Sequence, residues 1–420
     1  MIRLDLWLTL TDGETVHAGD LAFGDPDGQG RYTSAFRYTS AWLEHPRAFS
    51  LDPAALPLGP GEFQGQQINA PLMLLDDALP DDWGRRLLVL RHGLPRGKQS
   101  EPNLLQALAG QGLGALSFFP PGKKPHGEDA SAPLLELEAL VDAARRLEAD
   151  GQVDDACRAL LVAGSSPGGA RPKALVKEGA CHWIAKFPSR RDDVDMVGLE
   201  AASLELARRA RLDVPDFRLE TLAGGRRVLL VRRFDLAPAG GRRHMLSLRT
   251  LLQAGGYYVL RYADLLAALR RFSARPEIDV PRLFRQMVFN ALLGNTDDHL
   301  KNFWLLHDEG GYALSPAFDL LPDTGSRREH VLLFDLSSQP PGPDGLAALG
   351  RKWGVSGAAG ICREVEAAVA GFAEVAAEYR VPEAEITRFR QDIQRRCHNA
   401  SHPGGSRGPD ASPGFQPAPE

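Results

Sequence analysis

The chain has 420 residues, 43% of them hydrophobic and 25% charged, which is the composition of an ordinary globular protein. The formal net charge of −5 argues against a protein whose whole surface binds nucleic acid. No run of about 20 apolar residues is present, and the opening segment MIRLDLWLTL alternates like a strand rather than a signal peptide. We therefore expect a cytoplasmic protein with no membrane contact.

Residues 1–120 have the pattern of an α+β unit. Alternating apolar residues predict strands, and apolar residues three and four apart predict helices. A connection rich in proline, glycine and lysine follows at Pro120–Asp129, which predicts a surface loop. The predicted strands are Arg3–Leu10, Val16–Phe23 and Tyr32–Tyr38, and the predicted helices span 72–92 and 101–109.

The next part of the chain, 132–245, predicts a nucleotide-binding lobe, because a helical region precedes a glycine-rich loop, a hairpin, a helix and further strands. The helices are predicted at 133–161 and Met196–Ala210, and the strands at Ala174–Lys177, His182–Phe187, Phe217–Leu222 and Arg227–Arg232. Residues 246–398 are predicted to be mostly helical. Residues 399–420 contain five prolines and four glycines and are predicted to be disordered, since they can bury little apolar surface.

The strongest functional signal is the segment GNTDDHLKN at 294–302, a polar loop after an apolar helix that ends at Gly294. Asp297 and Asn302 stand five residues apart, as in the catalytic loop of protein kinases. There an aspartate accepts the substrate's hydroxyl proton and an asparagine holds Mg²⁺. A polar turn with capping side chains is the alternative. His299 is interpreted as a packing or supporting residue rather than a base.

A second acidic position lies in the segment SPAFDLLP at 315–322. Asp319 is flanked by bulky apolar residues, which suits an anchored metal ligand better than a turn. It could instead be a helix cap. Together with Asp297 and Asn302 it makes a base and two magnesium ligands, the set that phosphoryl transfer requires.

A lysine in the strand HWIAKF is the candidate phosphate-binding cation. Only eight of the 49 basic residues are lysines, so Lys186 is less expected as an ordinary surface charge, and its compact ammonium suits a phosphate pocket. Glu200, near the start of the predicted helix, is a possible partner for Lys186. The alternative is an acid placed there by the helix dipole.

Two further segments suit nucleotide binding. The loop GSSPGGARPK at 164–173 can cradle phosphate oxygens with its backbone N–H groups, with Gly168, Gly169 and Ala170 as candidates, although its spacing is not that of a Walker A loop. The strand LLVRRFD at 229–235 has the pattern of a hinge beside the adenine, with Arg232 and Phe234 as candidate contacts. Phe234 could stack on the base or, as its setting favours, pack in the core.

These motifs, in this order, resemble the HipA family of serine/threonine protein kinases. The resemblance rests on VAGSSPGGARPKALV (162–176), WIAKFPS (183–189), EAASLELARRARLDVP (200–215), VRRFD (231–235), GNTDDHLKNFWLL (294–306) and SPAFDLLP (315–322). LTLTDG (8–13) and FRYTSAWLEHPRAFSLDPAALPL (36–58) resemble the N-terminal subdomain of the family. The similarity extends over about residues 3–395.

The resemblance implies a bilobal, protein-kinase-like α+β fold with a HipA-type N-terminal subdomain and a mostly helical C-lobe. It implies Mg²⁺ and ATP as cofactors, Asp297 as catalytic base, Asn302 and Asp319 as metal ligands, and Lys186 as the phosphate lysine. The regulatory serine of the family falls on Ser166, with Ser165 as a neighbouring candidate. Phosphorylation there would place about −1.5 to −2 charges beside the ATP phosphates, so we expect self-inactivation.

The same resemblance implies a toxin that phosphorylates a component of translation, typically an aminoacyl-tRNA synthetase. It also implies a HipB-like helix-turn-helix antitoxin through which the protein contacts DNA indirectly. Two alternatives stay open. One is a co-repressor or adaptor without significant kinase activity. The other is a small-molecule kinase, for which the N-terminal 120 residues would not be needed.

Overall fold

The computed structural model describes residues 1–25, 32–64, 72–125, 129–151, 154–325 and 329–398. The tail 399–420, predicted to be disordered, lies outside the described residues. The described strands form three sheets, around and between which the helices pack. In this part of the chain, no helix has both the length and the apolar character that a bilayer crossing requires.

The first sheet is antiparallel and belongs to the N-terminal unit, with strand order β4-β3-β2-β1-β5. Alternation in β1 buries Leu4, Leu6 and Leu8, each no more than 1% exposed, against the helices of this unit. The strands are β1 (Ile2–Thr9), β2 (Thr15–Phe23), β3 (Ser34–Tyr38), β4 (Phe63–Gln64) and β5 (Leu116–Phe119). The helices are α1 (Ser40–Leu43), α2 (Met73–Ala78), α3 (Asp82–His92) and α4 (Glu101–Leu108).

The second sheet, in the order β6-β7-β8-β10-β9, is antiparallel except for the pair β6 and β7. One face packs on α5 and α6, and α3 of the N-terminal unit reaches the same core through Trp83 and Leu87. The strands are β6 (Ala132–Pro133), β7 (Lys173–Glu178), β8 (Cys181–Lys186), β9 (Phe217–Thr221) and β10 (Arg227–Arg232). The helices are α5 (Leu137–Asp150), α6 (Arg158–Ala163) and α7 (Met196–Arg209).

The remaining residues are mainly helical and include a small third sheet, in the order β11-β12-β13. Its strands are β11 (His244–Ser247), β12 (Trp304–Asp308) and β13 (Gly311–Leu314). The helices are α8 (Leu248–Leu251), α9 (Tyr262–Phe272), α10 (Pro276–Leu293), α11 (Pro343–Lys352), α12 (Ala358–Ala370), α13 (Phe372–Glu378) and α14 (Glu383–His398).

The α+β class predicted from the sequence is confirmed, but several elements differ. The predicted helix 72–92 is two helices, because Pro80 interrupts it and cannot donate a helical hydrogen bond. The predicted helical stretch 133–161 likewise divides into α5 and α6. Strands β4, β5, β6, β11, β12 and β13 were not predicted. Two of them have only two residues each, and the others, LSFF, HMLS, WLLHD and GYAL, do not alternate apolar and polar residues. The boundaries proposed for the units, at 120, 132–245 and 246–398, stay predictions.

Candidate active site

A cleft of about 750 Å³ lies where the three sheets and α7 meet. Every site residue predicted from the sequence lines it, with the exception of Ser165. Those residues are Ser166, Gly168, Gly169, Ala170, Lys186, Glu200, Arg232, Phe234, Asp297, Asn302 and Asp319. Segments separated by more than 100 residues therefore converge on one cavity, which is of the size expected for a small-molecule site.

The floor of the cleft is an ion-pair network centred on Lys186, at the end of β8. Its Nζ donates to Glu200 Oε1 at 2.5 Å and to Asp319 Oδ1 at 2.9 Å. Glu200 lies on the second turn of α7 and is 5% exposed. Because α7 begins at Met196, as predicted, and Glu200 lies one turn into it, this glutamate is a buried partner of Lys186 rather than an acid at the end of a helix.

The three charges of this network shift one another's pKa values. Burial opposes the ammonium of Lys186, but the carboxylates of Asp319 and Glu200 outweigh it and raise its pKa. Lys186 holds the pKa of Asp319 well below its usual range. Burial raises the pKa of Glu200.

Asp319 also has an unusual backbone. Its φ of +56° places it in the left-handed region, where a residue with a side chain costs on the order of 1 kcal/mol. The segment runs without helix or strand after β13, so the helix-cap alternative does not apply to Asp319. Residues held in this way cluster at functional sites, and here the conformation brings the carboxylate to Lys186.

In the polar loop after α10, two consecutive aspartates have different surroundings. Gly294 ends the helix in the left-handed conformation, as the sequence predicts, because glycine adopts positive φ without steric cost. Asp297 is exposed and faces the cleft. Its backbone oxygen accepts the Asn302 Nδ2–H at 2.8 Å, which leaves Oδ1 of Asn302 as the side-chain atom suited to a metal.

Asp298, in contrast, is 1% exposed and anchors the loop from below. Its Oδ2 accepts the hydroxyl of Tyr262 at 2.6 Å and lies 2.9 Å from His330 Nδ1. Its Oδ1 accepts the backbone N–H of Val331 at 2.8 Å and of Leu332 at 3.3 Å. The structure thus gives the two neighbouring acids different surroundings, and only Asp297 presents a carboxylate to the cleft.

The two serines of the glycine-rich loop are both buried. Ser165 is 0% exposed, and its Oγ donates to the Val162 carbonyl at 3.1 Å. Ser166 is 3% exposed and lines the cleft. Within the described part of the chain its Oγ has no hydrogen-bond partner, which is costly for a buried hydroxyl.

The segment predicted to be a hinge, 229–235, also lines the cleft. Phe234 is half-buried, lines the cleft and packs against Phe318, with ring centroids 5.6 Å apart. The expectation that it packs in the core is wrong, because β10 ends at Arg232 and Phe234, two residues further on, lines the cleft. The exposed Arg232 pairs with Asp216 at 3.1 Å.

The sequence reasoning missed three residues of the site: Asp81, Lys173 and Lys301. Lys173 is 8% exposed, and a side chain at Gly169 would collide with its Nζ. Burial lowers its pKa to about 8, with a further contribution from Lys186. The scarcity of lysine that singled out Lys186 would also have singled out Lys173 and Lys301. No comparable signal marks Asp81.

The donor set fits a nucleotide with a divalent cation. The oxygens of Asn302 and Asp319 are the hard ligands that Mg²⁺ prefers. Lys173, Lys186 and the backbone N–H groups of the glycine-rich loop are donors of the kind that bind phosphate.

Comparison with known proteins finds matches along most of the chain. Residues 165–377 match the HipA-like C-terminal domain, and residues 14–119 match the HipA N-terminal domain. Two Sinorhizobium fredii proteins that carry kinase names are similar in sequence. Y4mE is 29% identical over 68% of this chain and 71% of its own length. Y4dM is 30% identical over 33% of this chain and 37% of its own length.

A solved structure shows the same fold. HipA of Shewanella oneidensis MR-1, determined in a complex with HipB and operator DNA, superposes with a TM-score of 0.67 at 19% identity. The superposition covers 94% of this chain and 97% of that one. The fold is thus the kinase-like α+β fold with a HipA-type N-terminal unit, and the chain belongs to the HipA family.

Proposed function

We propose that this protein is an ATP- and Mg²⁺-dependent serine/threonine protein kinase, the toxin of a HipBA-like toxin–antitoxin module. One observation carries the proposal: a single cleft is lined by an exposed aspartate, Asp297, by two oxygen ligands, Asn302 and Asp319, and by Lys186 paired with Glu200. These are the parts that phosphoryl transfer uses.

The chemistry assigns one task to each residue. Mg-ATP supplies the γ-phosphoryl group and an electrostatic clamp on its oxygens. The carboxylate of Asp297 accepts the proton of the substrate's hydroxyl as that oxygen forms its bond to the γ-phosphorus and the bond to the β,γ-bridging oxygen breaks, releasing ADP. Asn302 and Asp319 would hold the metal, and Lys186 would bind the phosphates while Glu200 positions its ammonium.

The glycine-rich loop is proposed to carry the autophosphorylation site at Ser166 rather than Ser165. Ser166 lines the cleft and has an unsatisfied hydroxyl, whereas Ser165 is hydrogen-bonded behind the loop. Both side chains are buried, so the loop must leave its present position before either accepts a phosphate. The added charge would then oppose its return, and the kinase would be silenced.

The partners proposed are a HipB-like helix-turn-helix antitoxin and, through it, operator DNA. The Shewanella protein of the same fold was solved with HipB and its operator, and a net charge of −5 suits indirect contact with DNA. The substrate proposed is a translation component, with an aminoacyl-tRNA synthetase as the first candidate. The family resemblance is the support for that candidate.

A co-repressor without significant kinase activity is the second candidate. It would not require Asp297, Asn302, Asp319 and Lys186 to line one cleft, and the presence of all four favours the kinase.

The test is incubation of the purified protein with γ-labelled ATP and a cell extract, beside Asp297→Ala as control. We expect labelled proteins with the wild type and none with the variant. Equal labelling of the same proteins by both would overturn the kinase assignment.

A further inference from the structure

Asp81 stands at the N-cap of α3 but does not cap it. Its backbone is extended, with φ −81° and ψ −166°, and no side-chain hydrogen bond to α3 is formed by this residue. An aspartate at this position usually accepts an N–H from the first turn of its own helix. The carboxylate is instead turned away from α3 and towards the cleft.

Its two oxygens connect two loops that are remote from it in the chain. Oδ2 accepts the backbone N–H of Gly169 at 2.9 Å, across 88 residues. Oδ1 accepts the ammonium of Lys301 at 3.0 Å, across 220 residues. Gly169 belongs to the glycine-rich loop and Lys301 to the loop that carries Asp297, so one carboxylate holds both sides of the cleft.

Two further residues of the first turn of α3, Trp83 and Gly84, lie against the glycine-rich loop. A Cβ on Gly84 would lie 2.5 Å from Cβ of Pro80 and 2.8 Å from the carbonyl oxygen of Pro167, so a glycine is required for both to approach so closely. The indole Nε1–H of Trp83 donates to the Lys173 carbonyl at 3.0 Å. We call residues 81–84, which contact the loop at these points, the α3 seat.

The negative charge of Asp81 is compensated by nearby lysines. Its carboxylate would repel nucleotide phosphates if it stood alone, but Lys301 lies against it and also pairs with Asp76 at 3.1 Å. Lys173 is near enough for the charge of Asp81 to favour its ammonium form. The carboxylate is therefore compensated where it stands and is placed to hold protein groups.

We propose that the α3 seat holds the glycine-rich loop closed over the cleft, with Asp81 as the positioning residue that ties this loop to the catalytic loop. The equilibrium between the closed loop and an open one that exposes Ser166 is then set from the N-terminal unit. The expected effect on phosphotransfer rests on the proposed kinase function, whereas the contacts between the α3 seat and the loop do not.

The test is amide hydrogen exchange of the full-length protein, followed by mass spectrometry on peptides covering 164–173, without nucleotide. Asp81→Asn keeps the shape but offers one acceptor to two donors, and Gly84→Ala adds a methyl group against Pro80 and Pro167. Loss of a hydrogen bond to a charged group predicts exchange in this loop that is faster by roughly tenfold to a hundredfold. Asp335→Asn, the same charge change at an exposed position outside the α3 seat and the cleft, should exchange like the wild type.

The Gly84→Ala variant separates positioning from general destabilisation. The atoms nearest to a Cβ on Gly84 belong to Pro80 and Pro167, so exchange in α10 should stay at the wild-type rate while the loop exchanges faster. A second readout is phosphotransfer, in which KM for ATP should rise several-fold in both variants with a smaller change in kcat. Loop exchange at the wild-type rate in both variants, or faster exchange along the whole chain in both, would overturn the proposal. If the loop exchanges faster in both variants but the wild type transfers no phosphate, the kinase assignment fails and the positioning role of the α3 seat is retained.

Discussion

Lys186 and Asp319 stand 133 residues apart in the chain, yet the Nζ of one lies 2.9 Å from the Oδ1 of the other. This contact joins β8 of the second sheet to the segment after β13. Glu200 completes the group from α7, so one cation satisfies two carboxylates. In the proposed kinase, the phosphates and the metal of the nucleotide would take over part of these interactions, because both Lys186 and Asp319 are suited to them.

Lys186→Met should abolish nucleotide binding and lower Tm by several degrees, because it leaves the buried Glu200 without a cation. The raised pKa of Lys186 means that its stabilisation is present below about pH 10.5 and is lost as pH rises through the folded-state pKa. The lowered pKa of Asp319 means that its stabilisation is present above about pH 4 and is lost as pH falls through the folded-state pKa. The difference in Tm should therefore be largest between about pH 5 and pH 9.

Thermal unfolding across this pH range, with a fluorescent ATP analogue for binding, measures both effects. Lys177→Met is the matched control, because Lys177 pairs with Asp129 at 2.9 Å on the surface, where such pairs contribute little. Equal losses of Tm in the two variants would contradict the assigned role of Lys186.

Asp297→Asn should lower kcat for phosphotransfer by about 10²–10⁴-fold, the usual contribution of a general base. The side chain is exposed and the substitution preserves its shape, so Tm and the affinity for the ATP analogue should stay at wild-type values. Labelled phosphotransfer and thermal unfolding on the same preparation check this. Retention of more than a tenth of the wild-type kcat would remove Asp297 as the base.

The same substitution one residue on should have a different effect. Asp298→Asn replaces one acceptor oxygen by an NH₂ group among Tyr262, His330 and two backbone N–H donors, so buried donors lose their acceptor. We expect a clear fall in Tm and faster exchange of the amides at Val331 and Leu332. A native Tm for this variant would contradict the anchoring role of Asp298.

The affinity for ATP should depend on pH through Lys173. Its pKa of about 8 in the free protein means that the ammonium is lost as pH rises above 8, whereas bound phosphates favour the charged form. Affinity for an ATP analogue should therefore fall between pH 8 and pH 9.5, by up to about tenfold per pH unit. Lys173→Arg keeps the charge at all these pH values and should flatten the curve; parallel curves for the two proteins would refute the assignment.

Ser166→Ala should abolish the mass increase of one phosphate that the proposal expects on incubation with Mg-ATP. Ser165→Ala should retain it, because Ser165 is hydrogen-bonded away from the cleft. Intact-mass measurement of both variants, with Asp297→Asn as the inactive control, decides between the serines. A phosphate that persists in Ser166→Ala and disappears in Ser165→Ala would reverse the choice.

Local spacing was enough for the sequence to determine the parts of the site that lie within one segment. The five-residue interval from Asp297 to Asn302, the end of α10 at Gly294 and the strand that carries Lys186 depend on neighbours in the chain, and each is where the pattern predicts. The α+β class follows in the same way from the two periodicities of apolar residues.

Only the tertiary structure decided which residues meet. It pairs Glu200 with Lys186, turns Asp297 outward and Asp298 inward, brings Phe234 to the cleft wall and directs Asp81 to loops 88 and 220 residues away. The spacing of residues along the chain predicts neither contacts across such distances nor the left-handed backbone of Asp319. Both arise from the packing of separate elements, because burying their apolar faces fixes which polar side chains are brought together.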